Sequence, residues 1–130
     1  MKILVDCNME GQARLLFSTL GQDGWIEVFQ LEFVYFSGTP LTEDSDDTTL
    51  WRYAQANELI ILTNNRNRED ETSLTATIAR ENTATSLPVV TVGNARRLPE
   101  AGYRQAAADG LVNILAYLEN YRGTGRVFIP

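Results

Sequence analysis

Carboxylates and side-chain amides that follow apolar, strand-like segments are the residues of this chain most suited to chemistry. They are Asp6, which ends the strand-like residues 3–6, and Asn8 just behind it; Asn64 and Asn65, together with the hydroxyl of Thr63, after residues 59–62; and Asn94 after residues 88–92. Sites in open α/β sheets form beyond the carboxyl ends of the strands, so these side chains are expected at one edge. Their oxygens are ligands that Mg²⁺ and Mn²⁺ prefer. The pattern therefore favours an oxygen-rich site for one of these cations.

The composition removes several other kinds of chemistry. The chain has 130 residues, no histidine and a single cysteine, Cys7. Histidine-based triads, imidazole acid–base catalysis and histidine-ligated zinc are therefore excluded. One cysteine forms no intrachain disulfide and no thiolate cluster, and with no His or Lys near it in sequence we interpret Cys7 as an inert thiol.

The charge is divided unevenly along the chain. Residues 1–90 carry a net charge of −8 and residues 91–130 a net charge of +2, which gives −6 overall. Nucleic-acid affinity depends on neutralising phosphates, so an acidic chain is a poor general binder of nucleic acid. A divalent cation held by carboxylates reverses that local electrostatics.

Hydrophobic periodicity predicts one domain over residues 1–130, an α/β protein with a mostly parallel sheet in a three-layer α/β/α sandwich. The predicted strands are residues 3–6, 26–30, 59–62, 88–92 and 127–129, with residues 33–36 a strand or a hydrophobic loop. The predicted helices are marked by Ala13, Leu16 and Leu20; by Leu50, Trp51 and Ala54, with Asp46 or Asp47 as the cap; by Leu74 and Ile78; and by Ala107, Leu111 and Leu115, with Pro99 in the first turn.

The apolar runs of the chain are short. The longest are only as long as a strand, and the N-terminal run is too short for a signal peptide or a membrane span. A single thiol adds no sign of an oxidising compartment. We therefore expect a cytoplasmic protein with no membrane partner.

Three motifs resemble the PIN-like family, small bacterial domains related to PIN ribonucleases and to the toxin nucleases of toxin–antitoxin pairs. The motifs are residues 4–8 (LVDCN), 45–54 (SDDTTLWRYA) and 60–65 (IILTNN). Their order and spacing carry the resemblance, which covers residues 1–65. The segment 120–126 also looks like the signature of a subfamily, although the family attaches no chemistry to it.

The resemblance implies a cluster of acids that holds divalent cations and activates water for phosphodiester cleavage. By position, Asp6 matches the first acid, Asp47 the second, and Asn8 the asparagine of the family's first motif. The third acid is replaced by Asn65, which we expect to complete the metal site together with Asp70, through an oxygen or a bridging water. Glu69 and Glu71 lie beside Asp70 and are alternatives to it. The implied cofactor is Mg²⁺ or Mn²⁺.

Two functions remain open from the sequence. The first is a ribonuclease, dependent on Mg²⁺ or Mn²⁺, with an incomplete acidic site. The second is a catalytically inactive PIN-like module that binds a protein or nucleic-acid partner. The resemblance implies RNA, an antitoxin or another protein as a partner, and a homodimer. The arginines that are candidates for contacting RNA are Arg66, Arg68, Arg96 and Arg97, the first two of which could instead pair with Glu69 and Asp70.

Overall fold

The computed structural model describes residues 1–65, 71 and 73–130. The strands are β1 (Lys2–Val5), β2 (Glu32–Val34), β3 (Ile60–Thr63), β4 (Val89–Val92) and β5 (Arg126–Ile129). The helices are α1 (Glu10–Gln22), α2 (Trp25–Phe29), α3 (Asp47–Ala56), α4 (Leu74–Glu81), α5 (Ala101–Ala116) and α6 (Leu118–Tyr121). Short 3₁₀ turns follow β1 at Cys7–Met9, β2 at Phe36–Gly38 and β4 at Ala95–Arg97.

The five strands form one sheet in the order β2-β1-β3-β4-β5, and every pairing is parallel. The chain moves outward from β1 to β2 and then returns to the other side of β1 with β3. The strand order therefore reverses between β1 and β3, which is where open sheets of this kind form a crevice for ligands.

Helices cover both faces of the sheet, which confirms the three-layer α/β/α architecture expected from the sequence. On one face α1 and α5 pack together over Ile3, Leu62 and Val90. On the other face α3 and α4 pack together over Leu4 and Ile61. Alternate side chains of each strand thus enter opposite cores, as the two-residue period of a strand requires.

The strand expected at residues 26–30 is wrong, because this segment forms α2. Gly24 (φ 85°) and Gln30 (φ 48°) bound a single helical turn at its two ends. Trp25 and Phe29 are four residues apart and their rings stack at 5.7 Å, while Val28 is 66% exposed. Aromatic contact at helical spacing therefore outweighs the apparent alternation, and Glu32–Val34 supplies the edge strand.

We expected Pro99 in the first turn of α5, but it lies two residues before the helix, which begins at Ala101. The first bond of this helix runs from the Arg104 N–H to the Glu100 carbonyl at 2.9 Å. The Arg104 side chain donates to the carbonyls of Leu98 and Pro99 at 2.9 and 3.0 Å. Glu100 has an extended backbone and is the N-cap, so the helix begins at Ala101, after the proline.

The predicted C-terminal strand is confirmed as β5, and two glycines bring the chain into it. Gly123 and Gly125 both have φ of 83°, a conformation that favours glycine. A Cβ on Gly125 would also lie 2.8 Å from the Ile78 side chain. The Gly-Thr-Gly segment therefore allows β5 to approach α4 and pair with β4.

None of the helices within the described residues is long and apolar enough to cross a membrane.

Candidate functional site

The residues predicted to carry chemistry lie at the carboxyl edge of the sheet, beside the point where the strand order reverses. Asp6 follows β1, and Asn64 and Asn65 follow β3, whose last residue is Thr63. The Asp6 N–H donates to the Leu62 carbonyl at 2.9 Å, which extends the pairing of the two strands by one residue. The fold thus brings two of the three motifs together.

Asp6 is a buried carboxylate, 5% exposed, that accepts hydrogen bonds from neutral donors. Its Oδ1 accepts from the Asn8 N–H at 3.2 Å and caps the 3₁₀ turn behind β1. Its Oδ2 accepts from the Thr63 hydroxyl at 2.7 Å. Among the described residues, Asp6 has no lysine or arginine as an ion-pair partner.

Thr63 connects Asp6 to the loop that follows β3. Its side chain is fully buried, and while its hydroxyl donates to Asp6 it accepts from the Asn65 N–H at 3.0 Å. One hydroxyl therefore fixes both a carboxylate of the first motif and the backbone of the third.

Asp47 of the second motif lies at the other end of this network. Its Oδ2 accepts from the Asn65 side-chain amide at 2.9 Å and from the Leu74 N–H at 3.1 Å. Asp47 and Leu74 are the first residues of α3 and α4, so two helix N-termini meet at this carboxylate. The partial positive charge of helix N-termini stabilises an anion there.

The four residues Asp6, Thr63, Asn65 and Asp47 thus form one hydrogen-bonded chain, which we call the acid network. Asn65, which the resemblance aligns with the third acid, contacts Asp47 directly. A carboxylate in its place would meet Asp47 as a like charge, whereas the amide donates a hydrogen bond to it. All three motifs of the sequence therefore contribute to one site.

Three further candidate residues line a shallow depression next to the acid network. Asn64, Asn94 and Arg96 border it together with Gly93, beyond the ends of β3 and β4. The Asn94 N–H donates to the Tyr103 hydroxyl at 2.8 Å, which fixes the turn. The depression combines an exposed guanidinium with two exposed or half-exposed amides, groups that bind phosphate oxygens.

The remaining candidates are placed differently. Asn8 meets the acid network through its backbone, and its side chain is exposed. Arg97 forms an ion pair with Glu100 at 3.2 Å and stacks over the Tyr103 ring at 4.8 Å, so its guanidinium is engaged locally. Arg66, Arg68 and Asp70 lie outside the described residues.

Asp46, rather than Asp47, is the N-cap of α3. Its Oδ1 accepts from the Thr49 N–H at 2.8 Å, and the side chain is exposed. This hydrogen bond favours the ionised form and lowers the pKa of Asp46 below its ordinary value. The two adjacent aspartates therefore have different roles: Asp46 caps α3, and Asp47 belongs to the acid network.

Cys7 has a thiol that stays protonated at neutral pH. Burial raises the pKa of Cys7, and the charge of Asp6 and a hydrogen bond to Asp6 raise it further. This environment disfavours the reactive thiolate, which agrees with the interpretation of Cys7 as an inert thiol.

Arg126 is a residue next to the acid network that sequence reasoning did not place there. From the first position of β5, its guanidinium donates to the Asn65 carbonyl at 2.8 Å. The alternation in residues 126–129 was the available signal, because it puts Arg126 on the opposite face from the buried Ile129. An arginine on a covered sheet face requires acceptors, and here the loop after β3 supplies one.

No family model, curated protein or solved structure matches the chain. The resemblance to PIN-like proteins is therefore a prediction that depends on the three motifs.

Proposed function

We propose that the chain is a PIN-like domain whose Asp6 and Asp47 bind Mg²⁺ or Mn²⁺ for the hydrolysis of RNA. The observation that carries this proposal is the burial of Asp6 with neutral donors. Asp6 is 5% exposed, and its described partners are a backbone N–H, a hydroxyl and a thiol. Buried charges in proteins are usually paired with an opposite charge or coordinate a metal.

The donor set of the acid network fits a hard divalent cation. It offers two carboxylates, one hydroxyl and one amide, and Mg²⁺ prefers such oxygen ligands and retains several waters. A carboxylate provides about four lone-pair sites. Asp6 has one described hydrogen bond from N–H or O–H at each oxygen, so lone pairs remain for a cation.

Each residue of the site has a distinct part in this proposal. Asp6 and Asp47 hold the cation, and Thr63 fixes the orientation of the Asp6 carboxylate. Asn64, Asn94 and Arg96 bind a phosphate of the RNA strand in the adjacent depression. Asn65 and Asp70 are proposed to complete the site through an oxygen or a bridging water. A divalent cation held there would activate a water molecule for attack on the phosphodiester.

Cleavage of a single-stranded RNA in the presence of Mn²⁺ tests this proposal. The wild type is expected to hydrolyse the RNA, and Asp6→Asn is expected to lose at least about 100-fold in rate, because the cation loses a charged ligand. Asp109→Asn is the matched control, since it removes one exposed carboxylate from α5 on the far face of the sheet. Equal rates for Asp6→Asn and the wild type would contradict the proposal.

The second candidate is a catalytically inactive PIN-like module, and one contact favours it. The Asn65 amide donates to Asp47 at 2.9 Å, so a neutral donor already occupies one side of that carboxylate. In such a module the acid network has a structural role, and the surface binds an antitoxin, another protein or RNA. The domain is proposed to act in the cytoplasm as a homodimer in either case.

Asn65→Asp separates the two candidates. In a metal site the added carboxylate strengthens Mn²⁺ binding, while in the metal-free protein its repulsion from Asp47 lowers the melting temperature. Calorimetry with Mn²⁺ and a thermal melt in a chelator measure both effects. Weaker stability together with unchanged Mn²⁺ affinity would favour the inactive module.

A further inference from the structure

We infer that Arg126 is a positioning residue for the acid network, which it controls from the far edge of the sheet through the backbone of Asn65. The inference rests on the proposed metal site for its effect on cation binding. Its effect on Asn65 itself requires no metal.

Arg126 joins three parts of the fold through one guanidinium. Its Nη1 donates to the Asn65 carbonyl at 2.8 Å and to the Thr91 hydroxyl at 2.7 Å. Its Nη2 donates to the Thr75 hydroxyl at 3.1 Å. The half-buried side chain therefore crosses β4 beneath α4 and ends at the loop behind β3.

The contact with Asn65 matters because it adds a third described partner to that residue. The carbonyl accepts from Arg126, the N–H donates to Thr63 at 3.0 Å, and the side-chain amide donates to Asp47 at 2.9 Å. Arg126 and Thr63 thereby hold the backbone of Asn65 at its carbonyl and at its N–H. A displacement of this backbone would withdraw the side-chain amide from Asp47.

An arginine suits this position better than a lysine. Its planar guanidinium presents five donors in a rigid fork, and three acceptors here lie on two of its nitrogens. A lysine ammonium keeps the positive charge but does not reproduce the fork. Charge and geometry can therefore be separated by substitution.

The experiment compares Arg126→Met and Arg126→Lys with Arg122→Met in the full chain. Arg122 is the matched control, since it is another half-buried arginine near the C-terminus that pairs with Glu119 at 3.0 Å and donates to the Thr85 carbonyl. Nuclear magnetic resonance of the metal-free protein follows the Asn65 side-chain amide and the exchange of its N–H. Calorimetry then measures Mn²⁺ affinity.

We expect Arg126→Met to shift the Asn65 amide signals, accelerate exchange of the Asn65 N–H and weaken Mn²⁺ binding about tenfold, as loss of a supporting contact to a metal ligand does. Arg126→Lys is expected to recover only part of each effect, and Arg122→Met to leave all three unchanged. If Arg126→Met does not fold, Arg126→Lys against the wild type decides the question by the same signals.

Unchanged Asn65 signals in both Arg126 variants would overturn the inference, as would an equal response to Arg122→Met, which would mean that only net charge matters. A wild type that binds no Mn²⁺ would contradict the proposed metal site. The Asn65 signals would still decide the role of Arg126 in that case, so the two failures are distinguishable.

Discussion

Thr63 and Thr91 occupy equivalent positions in the molecule and have opposite electrostatic surroundings. They pair in register on β3 and β4, both are fully buried, and both lie on the face of the sheet that α3 and α4 cover. The Thr63 hydroxyl donates to the Asp6 carboxylate at 2.7 Å, whereas the Thr91 hydroxyl accepts from the Arg126 guanidinium at 2.7 Å. Two identical side chains on neighbouring strands thus hydrogen-bond to an anion, Asp6, and to a cation, Arg126.

The difference shows that the neighbouring strand decides what a buried hydroxyl does. A threonine hydroxyl both donates and accepts, so it can satisfy either charge. On the β1 side the neighbour is Asp6, and on the β5 side it is Arg126. Asn65 contacts both kinds of charge. Its carbonyl accepts from the Arg126 guanidinium, and its side-chain amide donates to the second acid, Asp47.

Replacing each threonine with valine tests this comparison of Thr63 with Thr91, and Thr63→Val is expected to change the free energy of unfolding most. Thr63→Val removes the hydroxyl donor from the buried Asp6 and the acceptor from the Asn65 N–H, without changing side-chain shape. We expect the free energy of unfolding to fall by about 2–3 kcal/mol, because a buried charged group loses a hydrogen bond. Denaturant unfolding of the metal-free protein measures this change.

Thr91→Val is the matched variant on the cationic side. Arg126 keeps the Asn65 carbonyl and the Thr75 hydroxyl as acceptors, so the expected loss is about 1 kcal/mol. Equal losses for the two valine variants would mean that the acceptors that remain to Arg126 do not offset the lost hydroxyl.

Asp46, the N-cap of α3, extends the comparison from the buried carboxylate of Asp6 to an exposed one. Asp46→Ala removes the N-cap hydrogen bond to Thr49 and is expected to cost about 1 kcal/mol at pH 7. Because the folded-state pKa of Asp46 is lowered, its contribution is complete above the unfolded-state pKa and is lost as the pH falls through the folded-state pKa.

The stability difference between the wild type and Asp46→Ala should therefore shrink below about pH 4, near the ordinary pKa of aspartate. Unfolding curves between pH 2 and pH 7 are the measurement. A difference that stays constant down to pH 2 would show that the ionised carboxylate is not the cap.

The smallest expected effect is on the reactivity of Cys7, which reports the charge of Asp6. Asp6→Asn removes a negative charge and a hydrogen-bond acceptor beside the thiol, so the pKa of Cys7 should fall toward its ordinary value. Burial, the larger cause, remains. Alkylation by iodoacetamide at pH 8 should therefore become only about two- to threefold faster, as the thiolate fraction rises.

Asp109→Asn is the control for this reaction and should leave the rate unchanged. A rate for Asp6→Asn that is no faster than that of the wild type would mean that the Asp6 charge does not raise the pKa of Cys7.

Much of this fold is predictable from the sequence because apolar periodicity is a local signal. The strands before Asp6 and Asn64 and the stripe of α3 follow directly from it. Residues 26–30 show its limit, since five residues fit both a strand and one helical turn. The left-handed Gln30 and the stacking of Trp25 on Phe29 distinguish the helix from the strand, and apolar alternation signals neither of them.

Only the site residues that follow the ends of the strands are predictable from the sequence. Asp6, Thr63 and Asn65 are all found at one edge, because parallel strands bring their carboxyl ends together. The contact of Arg126 with Asn65 joins residues 61 positions apart across two strands. It depends on the strand order, which a single sequence does not specify.

The central claim is that Asp6 and Asp47 converge on one divalent cation, and a Mn²⁺ titration followed by nuclear magnetic resonance tests it most directly. Paramagnetic broadening should begin at the backbone N–H signals of Asp6, Asp47 and Asn65 in the wild type. In Asp6→Asn the same titration should leave these signals sharp. Broadening that begins elsewhere in the wild type, or none at millimolar Mn²⁺, would contradict the claim.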